Sequence, residues 1–246
     1  MPRYEYKYNL PVQYLDSIRH DLLPYLVSDS FAKHSANKDY TVHSLYLDSH
    51  KLLTFYEKLD GVRNRKKFRI RGYNNITPDS KVFLEIKRKD TEHIHKDRAV
   101  LKYCNLEKFF KTSDLSLLLS SGSSSSIKTE NANKFLYYYH YHVLQPAVIV
   151  NYEREAYECK FGSGLRLTLD KNVRAKKTNG FNDLFSDEGF KNALKDHFVL
   201  EIKFLKVLPS WLPRVLQKYN IIRVSSPKYA MSIFASGANK KLLKMS

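Results

Sequence analysis

Charged and apolar residues alternate at every second position in five segments of the chain. The charged positions are Glu5 and Lys7; Arg69 and Arg71; Glu85, Lys87 and Lys89; Arg166 and Asp170; and Glu201 and Lys203. Because side chains on a strand point alternately to opposite faces, each segment places its charges on one face and its Leu, Ile, Val or Tyr residues on the other. The pattern predicts a sheet with one charged face.

The same periodicity, with the breaks between segments, predicts the order of the elements. Strands are predicted at residues 3–8, 41–48, 66–73, 81–89, 98–103, 147–156 and 198–205, with a hairpin over 160–169. Helices are predicted at residues 11–27, 106–119, 132–144, 188–197 and 210–219, and a short one follows Ser226. Ser and Gly dominate residues 120–126, which predicts a flexible loop rather than a domain boundary.

The apolar faces of three predicted strands are too hydrophobic to be left uncovered. They are formed by Val82, Leu84 and Ile86; Leu165, Leu167 and Leu169; and Leu200, Ile202 and Phe204. If helices cover the outside of a curved sheet, the charged face must point inward. We therefore predict an α+β fold, a closed antiparallel β-barrel or tunnel with helices packed outside. A charged face turned towards water stays open as an alternative, although such surfaces usually mix Ser, Thr, Gln and Asn among their charges.

A polar lumen is stable only if its cations are hydrated, paired or bound to an anion, because an unpaired buried ion costs several kcal/mol. Arg and Lys outnumber the carboxylates in these strands. The excess indicates a multiply charged anionic ligand. Phosphates fit best, since a guanidinium offers two parallel hydrogen bonds and an ammonium a compact charge.

Composition agrees with a polyanionic partner without selecting one. The 246 residues are 43% hydrophobic, enough for one large domain, which we expect over residues 1–236 with a flexible basic tail over 237–246. The net charge of +17 leaves nucleic acid, polyphosphate, nucleotide and anionic membrane open. Cys104 and Cys159 are the only cysteines, too few for a disulfide framework. With neither a signal sequence nor a long apolar stretch, the expected location is the cytoplasm.

Nine segments in one order carry a family resemblance. They are residues 3–8 (RYEYKY), 44–48 (SLYLD), 58–63 (KLDGVR), 67–71 (KFRIR), 84–87 (LEIK), 152–154 (YER), 165–167 (LRL), 200–203 (LEIK) and 226–229 (SPKY). Together they resemble the VTC domain, the polyphosphate polymerase module of the vacuolar transporter chaperone complex, in a bacterial-type stand-alone form. That family belongs to the triphosphate tunnel metalloenzymes.

The resemblance implies a closed antiparallel tunnel whose cations hold a triphosphate or polyphosphate. The implied catalytic residues are Arg69, Arg71, Lys87, Arg154 and Arg166. The implied phosphate-binding residues are Lys7, Tyr152, Lys203, Ser226 and Lys228, of which Tyr152 and Ser226 would donate hydroxyl hydrogen bonds. The implied ligands of a Mn²⁺ or Mg²⁺ cofactor are Glu201 and Glu5. Glu85 is expected instead to neutralise neighbouring lysines.

Two departures from the family pattern bear on the chemistry. Hydrolytic relatives begin with Glu-x-Glu-x-Lys, whereas this chain has Arg3 at the first position and keeps Glu5 alone. The loss of one carboxylate disfavours a metal-activated water and hence hydrolysis. The second departure is Pro227, which separates Ser226 from Lys228 and makes the position of that serine uncertain.

We therefore expect an ATP-dependent polyphosphate polymerase, with ATP and polyphosphate as its ligands. The chain has no Gly-x-x-x-x-Gly-Lys-Ser/Thr loop, so side chains must hold the nucleotide. The alternatives are a non-catalytic polyphosphate or nucleotide sensor and a triphosphatase. Nucleic acid is not the expected partner, because Tyr4, Tyr6 and Tyr8 alternate with the charges instead of joining them. A membrane-protein partner stays open, as do a monomeric and a homodimeric state.

Overall fold

The computed structural model describes residues 4–32, 38–74, 77–90, 93–119, 125–221 and 227–241. Ten strands and six α-helices lie within these ranges. The strands are β1 Tyr4–Pro11, β2 Leu26–Ser28, β3 Asp39–Asp48, β4 Arg65–Tyr73, β5 Lys81–Asp90, β6 His93–Lys102, β7 Gln145–Cys159, β8 Arg166–Lys177, β9 Lys191–Asn192 and β10 His197–Phe204. The helices are α1 Leu15–Leu22, α2 Leu53–Leu59, α3 Leu106–Thr112, α4 Ser125–Tyr141, α5 Trp211–Gln217 and α6 Lys228–Ser236. Arg3, Ser226 and residues 242–246 of the predicted tail lie outside the described residues.

The strands form an open sheet rather than the predicted closed barrel. Hydrogen bonds order them as β1-β10-β8-β7-β3-β4-β5-β6, with β2 paired to β7 and β9 to β8. In the described ranges β1 and β6 each end this path and do not pair with one another. The period-two pattern correctly predicted most of the long strands, although β2 and β9 fall in segments predicted to be helical and β6 begins before the predicted strand. The pattern specifies which face a residue occupies and not which edges meet. The closure of the sheet was therefore predicted wrongly.

The chain divides into two compact units. The first unit comprises Met1–Thr41, Tyr152–Val173 and Leu194–Pro227. The second unit comprises Val42–Asn151, Arg174–Ala193 and Lys228–Ser246. The single domain expected over residues 1–236 stays a prediction.

In the first unit, α1 and α5 cover the apolar face of β1, β10 and β8. That face and its two helices bury Tyr8, Leu10, Ile18, Leu22, Leu165, Leu167, Leu169, Phe198, Leu200, Ile202, Phe204, Leu212 and Val215. Leu167, Leu169, Leu200 and Ile202 are fully buried, as their alternation with charged residues predicts. The opposite face of the same strands is left to the charged side chains.

The helix predicted over residues 11–27 is shorter in the structure. A 3₁₀ turn at Val12–Tyr14 precedes α1, and another at Leu23–Tyr25 follows it. Pro24 in the second turn lacks the amide hydrogen that would continue the helix. Ile18 and Leu22 form the buried side of α1.

In the second unit, α3 and α4 cover the apolar face of β3, β4, β5 and β6. That face and its helices bury Leu45, Leu47, Phe68, Ile70, Val82, Leu84, Ile86, Ala99, Leu101, Phe109, Phe110, Phe135 and Leu136. The rings of Phe68 and Phe135 meet edge to face with centroids 6.1 Å apart, a favoured aromatic geometry. Charged side chains again occupy the opposite face of the strands.

The outer edge of β6 is partly covered by its own unit. The amide of Leu119 donates to the carbonyl of Val100 at 2.9 Å, and Leu118 forms an isolated bridge to Leu101. The side-chain amide of Asn131 in α4 donates to the carbonyl of Arg98 at 3.1 Å. Backbone groups of this terminal strand therefore have partners beyond those supplied by β5.

Left-handed backbone torsions explain two further differences from the predicted helices. The helix predicted over 106–119 ends at Thr112, because Ser113 has a φ of 54°. The helix predicted over 188–197 is absent. Gly189 and Asp196 have φ values of 74° and 53°, and the intervening β9 pairs with β8. Neither torsion is compatible with a right-handed helix.

Candidate anion-binding site

Strands β4, β5 and β6 of the second unit bring cations into register on one face, beside Tyr46 of β3. Tyr46 of β3 lies opposite Arg69 of β4, which lies opposite Glu85 of β5, which lies opposite Arg98 of β6. Residues directly opposite in antiparallel strands share a face. The second polar face therefore consists of Ser44, Tyr46, Lys67, Arg69, Arg71, Phe83, Glu85, Lys87, Lys96 and Arg98.

Glu85 is the centre of this face. The Oε2 atom of Glu85 lies 2.6 Å from Nε of Arg69 and 3.8 Å from Nε of Arg71. The Oε1 atom of Glu85 lies 2.6 Å from Nζ of Lys96 and 2.6 Å from Nη2 of Arg98. We call these five residues the Glu85 cluster. The expectation that Glu85 neutralises lysines is confirmed for Lys96, and three arginines that were not expected share the carboxylate.

The electrostatics of the Glu85 cluster favour the ionised state of its carboxylate. Glu85 is 1% exposed, and burial alone would raise its pKa. The charges of Arg69, Arg71, Lys96 and Arg98 overcome burial and hold the pKa of Glu85 far below its ordinary value. Four cations around one carboxylate give the cluster a net charge of +3.

Three lysines form a row beside the Glu85 cluster. Lys67 of β4 lies opposite Lys87 of β5, which lies opposite Lys96 of β6. Like charges directly opposite one another destabilise a sheet. Burial, together with the charges of Arg98 and Arg69, lowers the pKa of Lys96 to about 8, even though Glu85 acts to raise it. An anion above this row would relieve the repulsion.

In the first unit the charged side chains form the first polar face, which consists of Glu5, Lys7, Tyr152, Arg154, Arg166, Thr168, Asp170, Glu201 and Lys203. Here each predicted cation contacts a carboxylate. Nε and Nη2 of Arg154 donate to the two oxygens of Asp170 at 2.6 and 2.8 Å. Nη2 of Arg166 donates to Asp29 at 3.2 Å. Lys203 contacts Glu201 directly.

Lys7 lies between two carboxylates of the first polar face. Its Nζ atom is 2.6 Å from Oε1 of Glu5 and 3.4 Å from Oε2 of Glu201. Burial opposes the charge of Lys7, but Glu201 and Glu5 together raise its pKa above the ordinary value. Lys7 therefore stays protonated, and its ammonium contacts both predicted metal ligands, Glu5 and Glu201.

The donor set of Glu5 and Glu201 fits a divalent ion that arrives with phosphates. Mg²⁺ is commonly bound by one or two carboxylates together with substrate phosphate oxygens and water. No group of three or more His, Cys, Asp or Glu side chains suited to a metal occurs in the part of the chain that the structure describes. An ion held by Glu5 and Glu201 would complete its coordination with phosphate oxygens or water, and it would compete with Lys7 for the two carboxylates.

The structure places the residues predicted from sequence in two groups. Arg69, Arg71, Lys87 and Lys228 belong to the second unit, and Glu5, Lys7, Tyr152, Arg154, Arg166, Glu201 and Lys203 to the first. The guanidinium of Arg154 lies 5.2 Å above the ring of Tyr152, which is 4% exposed. Tyr152 thus orients Arg154 through its ring in addition to the hydroxyl contact predicted for it.

Sequence reasoning missed Lys96 and Arg98. It began the strand at Arg98, whereas β6 begins at His93 and carries both cations on the second polar face. The signal was present in the two-residue spacing of Lys96 and Arg98, interrupted by Asp97, whose carboxylate faces the other way and pairs with Arg88 at 2.7 Å. Tyr46 was also missed. Its hydroxyl accepts a long 3.4 Å hydrogen bond from Arg69.

None of the described helices is both long enough and apolar enough to cross a bilayer.

The comparison with curated proteins gave no match. Among solved structures, a candidate adenylyl cyclase from Hippeastrum with a dominant triphosphatase activity is 16% identical to this chain, with 96% of each chain covered and a TM-score of 0.48. A candidate adenylate cyclase from Bacillus halodurans is 11% identical, with 92% of this chain and 96% of that chain covered and a TM-score of 0.47.

The comparison with family models agrees with the ordered sequence segments. The model of the VTC domain matches residues 2–237 of the 246. The match covers both units and all ten strands. The chain therefore belongs to the VTC domain family.

Proposed function

We propose that the protein is an ATP-dependent polyphosphate polymerase, which transfers the γ-phosphoryl group of ATP to the end of a polyphosphate chain. The Glu85 cluster is the observation that supports this proposal. One buried carboxylate contacts four cations, and a row of three lysines adjoins them. A chain of phosphates supplies negative charge at regular short intervals, which matches cations that repeat along and across strands.

The chemistry asks for positioning and charge neutralisation rather than for a covalent catalyst. A terminal oxygen of the acceptor phosphate attacks the γ-phosphorus of ATP. The bond from that phosphorus to the β–γ bridging oxygen breaks, and ADP leaves with the electron pair. Arg69 and Arg71 neutralise the equatorial oxygens in this step, with Lys87 beside them, and they hold the reacting groups in line. A phosphate terminus is already ionised near neutral pH, so no general base is required.

In the first unit we assign phosphate binding to Lys7, Tyr152, Arg154, Arg166 and Lys203. Asp170 accepts one hydrogen bond each from Nε and Nη2 of Arg154, so we assign phosphate binding to the two hydrogens of Nη1 and the second hydrogen of Nη2. Arg166 is more accessible, since its side chain is 43% exposed. Glu5 and Glu201 would hold Mn²⁺ or Mg²⁺, which when bound neutralises phosphate oxygens and stabilises the departing ADP.

The experiment that tests the proposal is a product analysis. Purified protein is incubated with ATP and Mn²⁺, and the products are separated on a polyacrylamide gel and by ion-exchange chromatography. We expect ADP together with long phosphate chains. Arg88→Ala is the matched control, because Arg88 lies on the opposite face of β5 and pairs with Asp97. That variant should form chains as the wild-type protein does.

The other outcomes identify the alternative functions. Free orthophosphate as the sole product would identify a triphosphatase. Tight binding of tripolyphosphate with no turnover would identify a sensor. Binding of oligonucleotides that tripolyphosphate fails to displace would identify a nucleic-acid partner, with steeply salt-dependent affinity.

A further inference from the structure

The carboxylate of Asp48, at the end of β3, accepts hydrogen bonds from residues of two helices. It accepts hydrogen bonds from the amides of Thr54 and Phe55 at 2.9 and 3.0 Å and from the hydroxyl of Thr54 at 2.8 Å. These donors belong to the first turn of α2. The hydroxyl of Tyr229 in α6 also donates to Asp48. Asp48 is fully buried and Tyr229 is 1% exposed, so both the bond and its partners are shielded from water.

This hydrogen bond fixes the beginning of α6 within the second unit. Tyr229 is the second residue of α6. Its ring stacks on that of Tyr46, with centroids 4.9 Å apart, and meets the edge of Phe55 at 6.4 Å. Two aromatic contacts and one buried hydrogen bond therefore hold the first turn of α6 against β3 and α2.

Lys228 is the first residue of α6 and directly precedes Tyr229, whose ring stacks on that of Tyr46 on the second polar face. The Tyr46 hydroxyl lies 3.4 Å from Nη1 of Arg69. Burial would raise the pKa of Tyr46, yet Arg69, Arg71 and Lys228 together lower it. The stack of Tyr229 on Tyr46 and the Arg69–Tyr46 hydrogen bond thus bring the first turn of α6 to the edge of the Glu85 cluster.

We propose that Asp48 and Tyr229 are positioning residues, whose hydrogen bond holds Lys228 beside Arg69 and Arg71 to complete one phosphate subsite. The inference rests on the proposed function, since it takes the second polar face to bind phosphate. It assigns Tyr229 no contact with the ligand. Tyr229 instead fixes the position of Lys228, the residue that precedes it in the chain.

The test is a double-variant cycle on tripolyphosphate binding, measured by calorimetry without nucleotide or turnover. Tyr229→Phe keeps the ring and removes the hydroxyl, and we expect binding about tenfold weaker. Lys228→Ala should lose a similar factor. The double variant should bind no more weakly than Lys228→Ala alone, because the hydroxyl acts only through the lysine.

Two controls separate positioning from stability. Thr54→Val removes a different donor to Asp48 and should lower the melting temperature without changing tripolyphosphate affinity. Tyr219→Phe removes another phenol–carboxylate bond, the partly buried one to Asp21 at 3.0 Å, and should leave affinity unchanged. If Tyr229→Phe does not fold, Asp48→Asn weakens the same bond and should give the same loss of affinity.

The outcomes that overturn the inference differ from those that overturn the proposed function. Additive losses in the double variant would overturn it, as would wild-type affinity in Tyr229→Phe or in Lys228→Ala. A wild-type protein that binds tripolyphosphate but makes no chains from ATP would overturn the polymerase proposal alone, because no arm of the binding cycle requires turnover.

Discussion

The two polar faces differ in how their cations are balanced. On the first polar face Arg154 forms a two-pronged pair with Asp170, and Lys7 and Lys203 both contact Glu201. On the second polar face four cations share Glu85. Each unit therefore presents a charged sheet face, and among the described residues of these two faces the larger positive excess lies in the Glu85 cluster. The comparison teaches that counting cations along a strand does not show how many carboxylates lie beside them.

The largest expected effect is on stability, where the two faces should respond in opposite ways to loss of an arginine. Arg154→Ala leaves the fully buried Asp170 without its bidentate partner, and we expect a loss of about 3–5 kcal/mol in the free energy of unfolding. Arg69→Ala should leave stability unchanged or higher, since three cations still contact Glu85. Urea unfolding of both variants measures the difference. Equal losses would mean that the two faces are balanced alike.

The next effect is on anion affinity. Removing both Arg69 and Arg71 should weaken tripolyphosphate binding about a hundredfold while the protein stays folded, because two charged hydrogen-bond donors are lost. Calorimetry at fixed salt measures the affinity, and circular dichroism checks the fold. Arg88→Ala, on the opposite face of β5, is the control and should bind normally. Unfolding of the double variant would show that these arginines support the fold and are not held for a ligand.

Metal dependence should distinguish the carboxylates of the first polar face. Glu201→Ala should lower metal-dependent turnover about a hundredfold, because an ion is lost that stabilises charge on the phosphates. Tripolyphosphate affinity measured with a chelator should change little. Glu107→Ala, which removes an exposed carboxylate that pairs with Lys111, should leave turnover unchanged. Equal loss of turnover and anion binding would assign Glu201 a structural role.

The smallest effect concerns pH and Lys96. Its pKa is lowered from 10.5 to about 8, so the ammonium loses its proton at a lower pH in the folded protein than in the unfolded chain. Between these two values the unfolded chain binds more protons, and stability therefore rises with pH. Anion affinity should fall about threefold over the same range, because one cation is lost. Lys96→Arg should abolish the fall in affinity, as measured by titrations from pH 7 to 9.5. A fall of equal size in Lys96→Arg would exclude Lys96 as its cause.

Local alternation was sufficient to predict the faces of the strands. Leu167 and Leu200 are fully buried and Arg69 lies on the polar face as expected, because a period of two leaves each residue one choice of side. The aromatic alternation of β1 was predicted less well. Tyr8 is buried, but Tyr4 is 49% exposed and stacks on Phe204. The first residues of a strand at the edge of a sheet have fewer neighbouring side chains to bury them than residues of a central strand have.

Features that depend on distant parts of the chain could not be predicted. Glu85 meets Lys96 and Arg98 only because β6 begins five residues earlier than its apolar pattern suggested. Asp48 and Tyr229 are separated by 181 residues, and neither residue type alone indicates a partner. The pairing of sheet edges is equally remote from local pattern, which is why closure was predicted wrongly.

The covered edge of β6 has a consequence for the behaviour of the protein in concentrated solution. A strand that ends a sheet normally offers its backbone to foreign strands and so promotes aggregation. Here Leu119 and Asn131 already occupy the carbonyls of Val100 and Arg98. A second molecule would have to displace both before it could extend the sheet at this strand, and the lysines of β6 would repel its own lysines as it approached.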